Sequence, residues 1–409
     1  MSKQHRSSNS CGKPRKLAIC ATAVLALLLQ ASQLPTLAAS KEVGITDTKI
    51  VIGSCGALTG PAAGLGKEEI VGAQAYIRYI NDQGGVGGRK IDLKTFDDGY
   101  DATKCKTAFD KFLADQCFAG LGFVGSMTSK EYIPMIEKSK VPVIGFMTGA
   151  EFLQTPFHKY AFCVRAPYLV EMGDQIDRIW ADLGAKRVAV IHQSQEGGSP
   201  IQRATEQALA KHNAKPISVA FFPHNTLDVS AAISKTQAGS PDVVVLTGPY
   251  LPLSEIVKRA HKANWHPIFM TSSMVGTEEF VAAAGKDAEG TLISQVVPPY
   301  SRQDLSGIAL YKRLLQKYYP AEKPNFISLE GFVDAMVLVE GLKGAGKELT
   351  REKFMTTLES IHDKDIGLGP HLKLSYGKDQ HQGFQSVFTT VIRDGRAVPI
   401  FNYKVIQRQ

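Results

Sequence analysis

Residues 51–66, VIGSCGALTGPAAGLG, constrain the fold more than any other stretch of this 409-residue chain. An apolar run ends there in a small-residue loop of Gly, Ala, Pro and Thr. An amphipathic segment follows, and the glycine-rich turn NDQGGVGGRK at 81–90 leads into a second strand-like run, IDLKTFDD. That order is a βαβ unit, because two parallel strands need a crossover of helix length between them. The small-residue loop then lies at the carboxyl end of the first strand, where open parallel sheets place their ligands.

The alternation continues along the chain. Strand-like runs fall at 49–54, 90–97, 120–124, 141–146, 187–192, 217–222, 242–246 and 267–271. Helix-length amphipathic segments at 68–83, 101–115, 130–139, 170–182, 200–212, 229–238 and 252–263 separate nearly all of them. Continuous apolar strands alternating with helices predict parallel sheets covered on both faces. The pattern starts afresh after Arg165-Ala166-Pro167, so two sheets are expected rather than one. A second break is expected at Val297-Pro298-Pro299-Tyr300, followed by helices at 305–319 and 329–342 and a β-rich tail. With 44% apolar and 21% charged residues, the chain is long enough for more than one core.

Residues 1–40 read as a separate unit. Lys3, Arg6, Lys13, Arg15 and Lys16 precede an apolar run from 17 to 29, and Ala38, Ala39 and Ser40 supply small residues for cleavage. That is the order of a secretory signal peptide, and the apolar run is short for a membrane span. Leu17-Ala18-Ile19-Cys20 resembles a lipobox, but Cys20 lies inside the hydrophobic run, which favours a soluble exported protein. Removing five basic and no acidic residues takes the formal charge from +8 to +3. No Lys/Arg block with interleaved aromatics remains, so nucleic acid is a poor partner.

Cys11 and Cys20 go with the signal, leaving Cys55, Cys105, Cys117 and Cys163. Export permits disulfides. Cys105 and Cys117 sit near opposite ends of one predicted helix, roughly 18 Å apart at about 1.5 Å per residue and beyond disulfide reach. Cys55 and Cys163 lie in apolar strand patterns and read as buried thiols. No CxxC or Cys/His cluster suggests zinc.

Several short motifs, taken in order, carry a family resemblance. They are Gly56-Ala57-Leu58-Thr59-Gly60-Pro61, the NDQGGVGG turn, Asp97-Asp98, GSMTS at 125–129, Val141-Pro142, RVAVI at 187–191 and Ala288-Glu289-Gly290. Together they resemble the leucine/isoleucine/valine-type periplasmic binding proteins of ABC importers, over essentially all of the chain after the signal. The resemblance implies an α/β fold of the type I periplasmic-binding-protein kind. Two Rossmann-like lobes with parallel central sheets are joined by a three-strand hinge and close over a ligand. The first lobe is expected to comprise 41–165 plus 298–370, and the second 166–297 plus 371–409. The function implied is capture of a small carboxylate-bearing ligand, a branched-chain amino acid or a related organic or aromatic acid. The ligand passes to ABC transporter permease subunits in the inner membrane, and the protein is expected to be a monomer without enzymatic activity or cofactor.

The candidate site residues stand in loops after strands. Ser126, in the GSMTS loop, reads from local pattern as a helix cap or an anion contact. The resemblance implies that it grips the ligand carboxylate, with Met127 beside it. Thr148 and Gly149 occupy a second strand end of the same lobe, and the resemblance makes them further contacts. Leu65 stands where amino-acid binders carry an aromatic side chain over the ligand, and Tyr250 matches a tyrosine that closes from the second lobe. Tyr168 on the hinge side and His192 at a strand end are further candidates, although a lone histidine there is more often a satisfied structural group.

One departure concerns the ligand itself. The family's amino-acid binders place an acid after the strand corresponding to 267–271, where it meets the ligand ammonium, and here Ser273 stands at that position. A buried ammonium without a counter-charge is costly. Glu278, Glu196 or Glu330 could substitute, or the ligand could be an aromatic or aliphatic acid without an amino group. Gly197, where many relatives carry tyrosine, would enlarge the cleft.

Two other classes are weighed against this reading. GLKGAGK at 341–347 matches GxxxxGK, but Glu348 follows in place of the magnesium-binding Ser or Thr, and a helix precedes it instead of a strand, which argues against a phosphate loop. A ligand-sensing protein of a receptor or regulatory system shares the architecture. Co-purification with a sensor kinase rather than a permease would favour it.

Overall fold

A computed structural model of the protein describes residues 42–193 and 198–406. The signal-like residues 1–40, with Cys11 and Cys20, and the pair Glu196 and Gly197 lie outside the described residues.

The first sheet is fully parallel. Its strands are β1 (Lys49–Gly56), β2 (Lys90–Asp97), β3 (Ala119–Val124), β4 (Val143–Met147) and β5 (Ala161–Phe162), in the order β2-β1-β3-β4-β5. Helices α1 (Ala63–Asp82), α2 (Cys105–Ala114) and α3 (Ser126–Ser139) connect them. β3 and β4 are buried at every position, as their unbroken apolar sequences require when helices cover both faces.

The second sheet runs β14-β13-β10-β9-β8-β6-β7. Its parallel part is β6 (Val188–Gln193), β7 (Ser218–Phe222), β8 (Val243–Thr247), β9 (Ile268–Thr271) and β10 (Leu292–Gln295). The helices between are α4 (Tyr168–Arg178), α5 (Pro200–Ala210), α6 (Ser230–Ala238), α7 (Tyr250–Lys262) and α8 (Thr277–Ala284). After β10 the chain returns to the first lobe with α9 (Ser306–Tyr318), α10 (Phe326–Ala345) and α11 (Arg351–Glu359). A two-stranded ribbon of β11 (Lys364–Asp365) and β12 (Lys373–Leu374) follows. The antiparallel edge of the second sheet is β13 (Phe388–Arg393) with β14 (Arg396–Pro399).

α10 packs face to face with α1. A β-carbon on Gly72 would stand 1.7 Å from the Ser328 carbonyl oxygen, and one on Gly331 would stand 2.1 Å from that of Glu69. Only glycine at both crossings lets the backbones meet, and the contact buries Phe332, Val333 and Leu338 against Tyr76, Ala73 and Ile80.

Several expectations need correction. The third crossing lies later than 370, because Leu372, Leu374, Tyr376 and Phe384 are buried in the first lobe's core. The Phe384 N–H donates to the Val164 carbonyl at 2.9 Å, so the first and third crossings run side by side and the chain leaves the first lobe only before β13. The tail is not uniformly β-rich, since α11 forms where Thr350 caps the Lys353 N–H and Phe354 and Leu358 bury one stripe. α2 ends at Ala114, so Cys117 follows the helix rather than closing it. The four described cysteines are free and buried, with burial pushing the Cys105, Cys117 and Cys163 thiols up to about 12. Among the described residues no helix is long and apolar enough to cross a membrane.

Candidate functional site

The strand ends of the two sheets face each other across the crossings. β3 ends at Val124, and Gly125 turns the chain with φ +98° into α3. A β-carbon there would lie 2.0 Å from the Tyr100 ring, so glycine alone fits. Ser126 becomes the first residue of α3, where backbone N–H groups lack helical partners. Its Oγ lies 2.6 Å from Thr148 Oγ1, past the end of β4, and 3.4 Å from the Tyr168 phenol at the start of α4. All three hydroxyl residues are buried. Burial pushes the Tyr168 phenol up, against the opposing pull of Arg165 and of hydrogen bonds from Ser126 and Thr148, so it stays a neutral donor.

Ser126, Thr148 and Tyr168, chosen separately from sequence, thus form one hydroxyl cluster that both lobes share. Met127 follows in the same turn and is half-buried. The Gly149 carbonyl accepts the Tyr168 N–H at 2.8 Å, which ties the end of β4 to the first crossing. Gly149 and Tyr168 also border a cavity of about 250 Å³ with Glu151, Gln154, Pro200 and Gln207. A larger hollow of about 1150 Å³, beside Asp242, His261, Pro267 and Thr291, lies at the amino ends of the second lobe's strands. It touches none of the residues picked from sequence and sits at the end of the sheet where parallel folds do not bind ligands.

Behind the hydroxyl cluster sits Arg165, which the sequence marked only as a boundary. It is 2% exposed, and its guanidinium carbon lies 5.8 Å from the Tyr168 ring centre. It pairs at 3.2 Å with Glu171 of α4 and at 3.2 Å with Glu330 of α10, so one cation joins the two lobes. Burial alone would lower its pKa, but Glu330 and Glu171 outweigh that and hold it protonated. Its Nη2 also donates to Ser273 Oγ, just after β9. Glu171 is saturated, because its second oxygen accepts the Ser273 N–H at 3.0 Å and the Ser294 hydroxyl at 2.5 Å. Glu330, one of the expected stand-ins for the missing acid, is thereby engaged; burial raises it to about 7 against the pull of Arg165.

Away from the hinge the lobes meet along a seam. Leu65, fully buried, approaches Gly276, and Tyr250 Oη and Glu279 Cγ crowd Gly64 at the start of α1. Leu65 and Tyr250 therefore both lie on the seam, one from each lobe. Glu278 Oε2 accepts the Phe326 N–H at 3.3 Å, placing an acid of α8 on the amino end of α10, where the helix dipole favours negative charge. Burial, with added repulsion from Glu279, raises Glu278 to about 7, and burial raises Glu279 to about 6 with Glu68 adding to it. His224 Nε2–H donates across the seam to the Tyr100 carbonyl at 2.9 Å.

His192 is a structural group: its Nδ1–H donates to the Gln193 carbonyl at 2.8 Å, and burial lowers its pKa. The GxxxxGK segment is a helix end, with Gly341 packed against Phe354 and Leu358 and the Lys347 carbonyl accepting from Arg89 at 3.0 Å. Tyr100, Arg165, Glu171, His224 and Glu279 were missed from sequence. Only Arg165, preceding Ala-Pro at a sheet boundary, left a local sign.

A family profile described as periplasmic binding protein matches residues 49–397. The leucine-specific-binding protein of Salmonella typhimurium is 27% identical over 283 residues, 68% of this chain and 74% of that protein. The Leu/Ile/Val-binding protein of Escherichia coli K12 is 26% identical over 254 residues, 61% of this chain and 67% of that protein. Among solved structures, a possible leucine/isoleucine/valine-binding protein from Rhodopirellula baltica superimposes with a TM-score of 0.82. It is 26% identical and covers 87% of this chain and 96% of its own. A fatty acid ABC transporter substrate-binding protein from Thermomonospora curvata shares the fold, with a TM-score of 0.79 at 23% identity over 88% of this chain and 93% of its own.

Proposed function

The chain belongs to the periplasmic binding protein family, a family of solute binders rather than enzymes, and from that premise we propose that it captures a small carboxylate-bearing ligand between its lobes and delivers it to an ABC transporter permease in the inner membrane. The observation that carries this reading is the buried cluster of Ser126, Thr148 and Tyr168 hydroxyls at the amino end of α3. Hydroxyls and free N–H groups at a helix start stabilise an anion through direct hydrogen bonds and the helix dipole. Leu65 from the first lobe and Tyr250 from the second then enclose the rest of the ligand. The ligand stabilises the closed form only to the extent that it contacts both lobes.

The relatives named for leucine and for leucine, isoleucine and valine support a compact aliphatic acid as the ligand class. The signal-like first forty residues and the family support a periplasmic location, with the protein acting as a monomer. A thermal-shift screen against aliphatic, aromatic and amino acids tests the reading, since a tight ligand raises the midpoint by mass action. A carboxylate is expected to raise it in the native protein and to raise it much less in Ser126→Ala. A screen in which neutral sugars or amines alone respond would refute it.

A further inference from the structure

The polar groups gathered at the hinge end of the cleft are hydroxyls and helix N–H groups, and its two acids, Glu171 and Glu330, are both paired with Arg165. Ser126, Thr148 and Tyr168 contribute hydroxyls, and α3 contributes its first N–H groups. Ser273 Oγ accepts from Arg165, which leaves the Ser273 hydroxyl hydrogen to donate elsewhere. Glu171 has both oxygens occupied by Arg165, the Ser273 N–H and the Ser294 hydroxyl. Glu330 is drawn to the same guanidinium. Arg165 Nε, fully buried, has no hydrogen-bond partner among the described residues.

A primary ammonium in this end would lie near the Arg165 cation with hydroxyl oxygens as acceptors but no anionic carboxylate free to offset its charge. An oxo, hydroxyl or carboxylate oxygen in the same place would be satisfied by the hydroxyl and N–H hydrogens. Carboxylate oxygens without hydrogen-bond partners stand on Glu278 and Glu279 of α8, against α1 and the start of α10, beside Leu65, Tyr250 and Tyr300. Others stand on Glu69 and Asp334, which pack against Gly122 and Gly145 of the first sheet and which burial raises well above the usual carboxylate range, so that they stay neutral there. Glu330 Oε1 makes only its ion pair with Arg165.

Resting on the reading of the cleft as a carboxylate site, we infer that the ligand is an acid with no ammonium beside its carboxylate: a 2-oxo, 2-hydroxy or unsubstituted carboxylic acid. α-Amino acids of the same side chain are discriminated against. Ser273 is then a specificity residue, its hydroxyl donating to an oxygen on the second carbon of a 2-oxo or 2-hydroxy acid.

Titration calorimetry on the protein as processed by an expressing bacterium, stripped of ligand by reversible denaturation, decides the matter with matched acids. Leucine is compared with 4-methyl-2-oxopentanoate and 4-methylpentanoate, and phenylalanine with phenylpyruvate and 3-phenylpropanoate. At least one ammonium-free acid should bind about tenfold or more tightly than its amino partner and lose that affinity in Ser126→Ala. Ser273→Ala should weaken a 2-oxo acid more than the unsubstituted acid of the same chain. An amino acid binding as tightly as its oxo partner would overturn the inference and leave the carboxylate site standing; loss of that binding in Glu279→Gln would locate the counter-charge on α8. Silence from all six acids, or heats indifferent to Ser126→Ala, would overturn the carboxylate reading and this inference with it.

Discussion

The two ends of the cleft handle buried charge in opposite ways. At the hinge, Arg165 faces Glu171 and Glu330, so each buried acid has a cation against it, and both oxygens of Glu171 are hydrogen-bonded. At the seam, Glu278 and Glu279 are half-buried where the lobes meet, with one oxygen of each unpartnered and, among the described residues, no ion pair to a cation. The hinge network gathers at the chain crossings and pairs each acid with a cation, whereas the seam acids meet groups of the other lobe away from the crossings. The difference teaches where stability and where affinity should respond to substitution.

The largest effect is expected at the hinge. Arg165→Met leaves Glu171 and Glu330 buried without their cation and should lower unfolding stability by about 3–5 kcal/mol in urea titration of the ligand-free protein. A loss under about 1 kcal/mol would mean that the network is not structural. Next comes the ligand end: Ser126→Ala removes a donor to an anion and should weaken binding of a responsive acid by about tenfold or more, with unfolding stability changed by less than about 1 kcal/mol. Equal losses in affinity and stability would merge the two ends of the comparison. At the seam, His224→Ala deletes one hydrogen bond that joins the lobes and should cost about 1 kcal/mol of closure, read as about fivefold weaker ligand binding at unchanged unfolding stability.

The smallest expected effect is the pH dependence of the seam. Glu278 at about 7 and Glu279 at about 6 are raised above the ordinary carboxylate value when the lobes meet. The closed form therefore holds their protons more tightly than the open form. Closure is favoured most below the ordinary carboxylate value and loses that advantage as pH rises through 6 and 7. Both side chains keep some solvent contact, so the effect is discounted to about threefold tighter binding at pH 5.5 than at 7.5. Glu279→Gln should flatten part of this slope, and calorimetry at the two pH values would show it; an unchanged slope would remove the seam acids from the account.

Much of the architecture was legible because its signals are local. The strand runs at 90–97 and 218–222 and the helices at 200–210 and 230–238 lie close to their expected positions, since apolar periodicity depends on near neighbours. β5, with two residues, is too short to carry a period and is held by pairing with β4, while β10, whose LISQ ends in two polar residues, is held by pairing with β9 and β13. α8 was missed because TEEFVAAA follows a loop of serines and a glycine and offers barely two turns of pattern. In the site, Ser126, Thr148 and Leu65 could be picked out as loop residues after strands. The loop holding Tyr100 could not, because its importance comes from the Tyr100 ring packing over Gly125 and from its carbonyl accepting from His224.

What the sequence by itself determined is the pair of α/β lobes and the loops that could meet between them, because alternation of strand and helix is written within short windows. Which polar groups remain free to greet a ligand was decided only by the tertiary structure. Ser273 is a hydroxyl in any reading of the chain, but its oxygen is taken by Arg165, 108 residues away, and Arg165 is in turn anchored by Glu330, 165 residues away. A hydrogen bond exists between neighbours in space, and no local pattern records which distant residue has already claimed an acceptor.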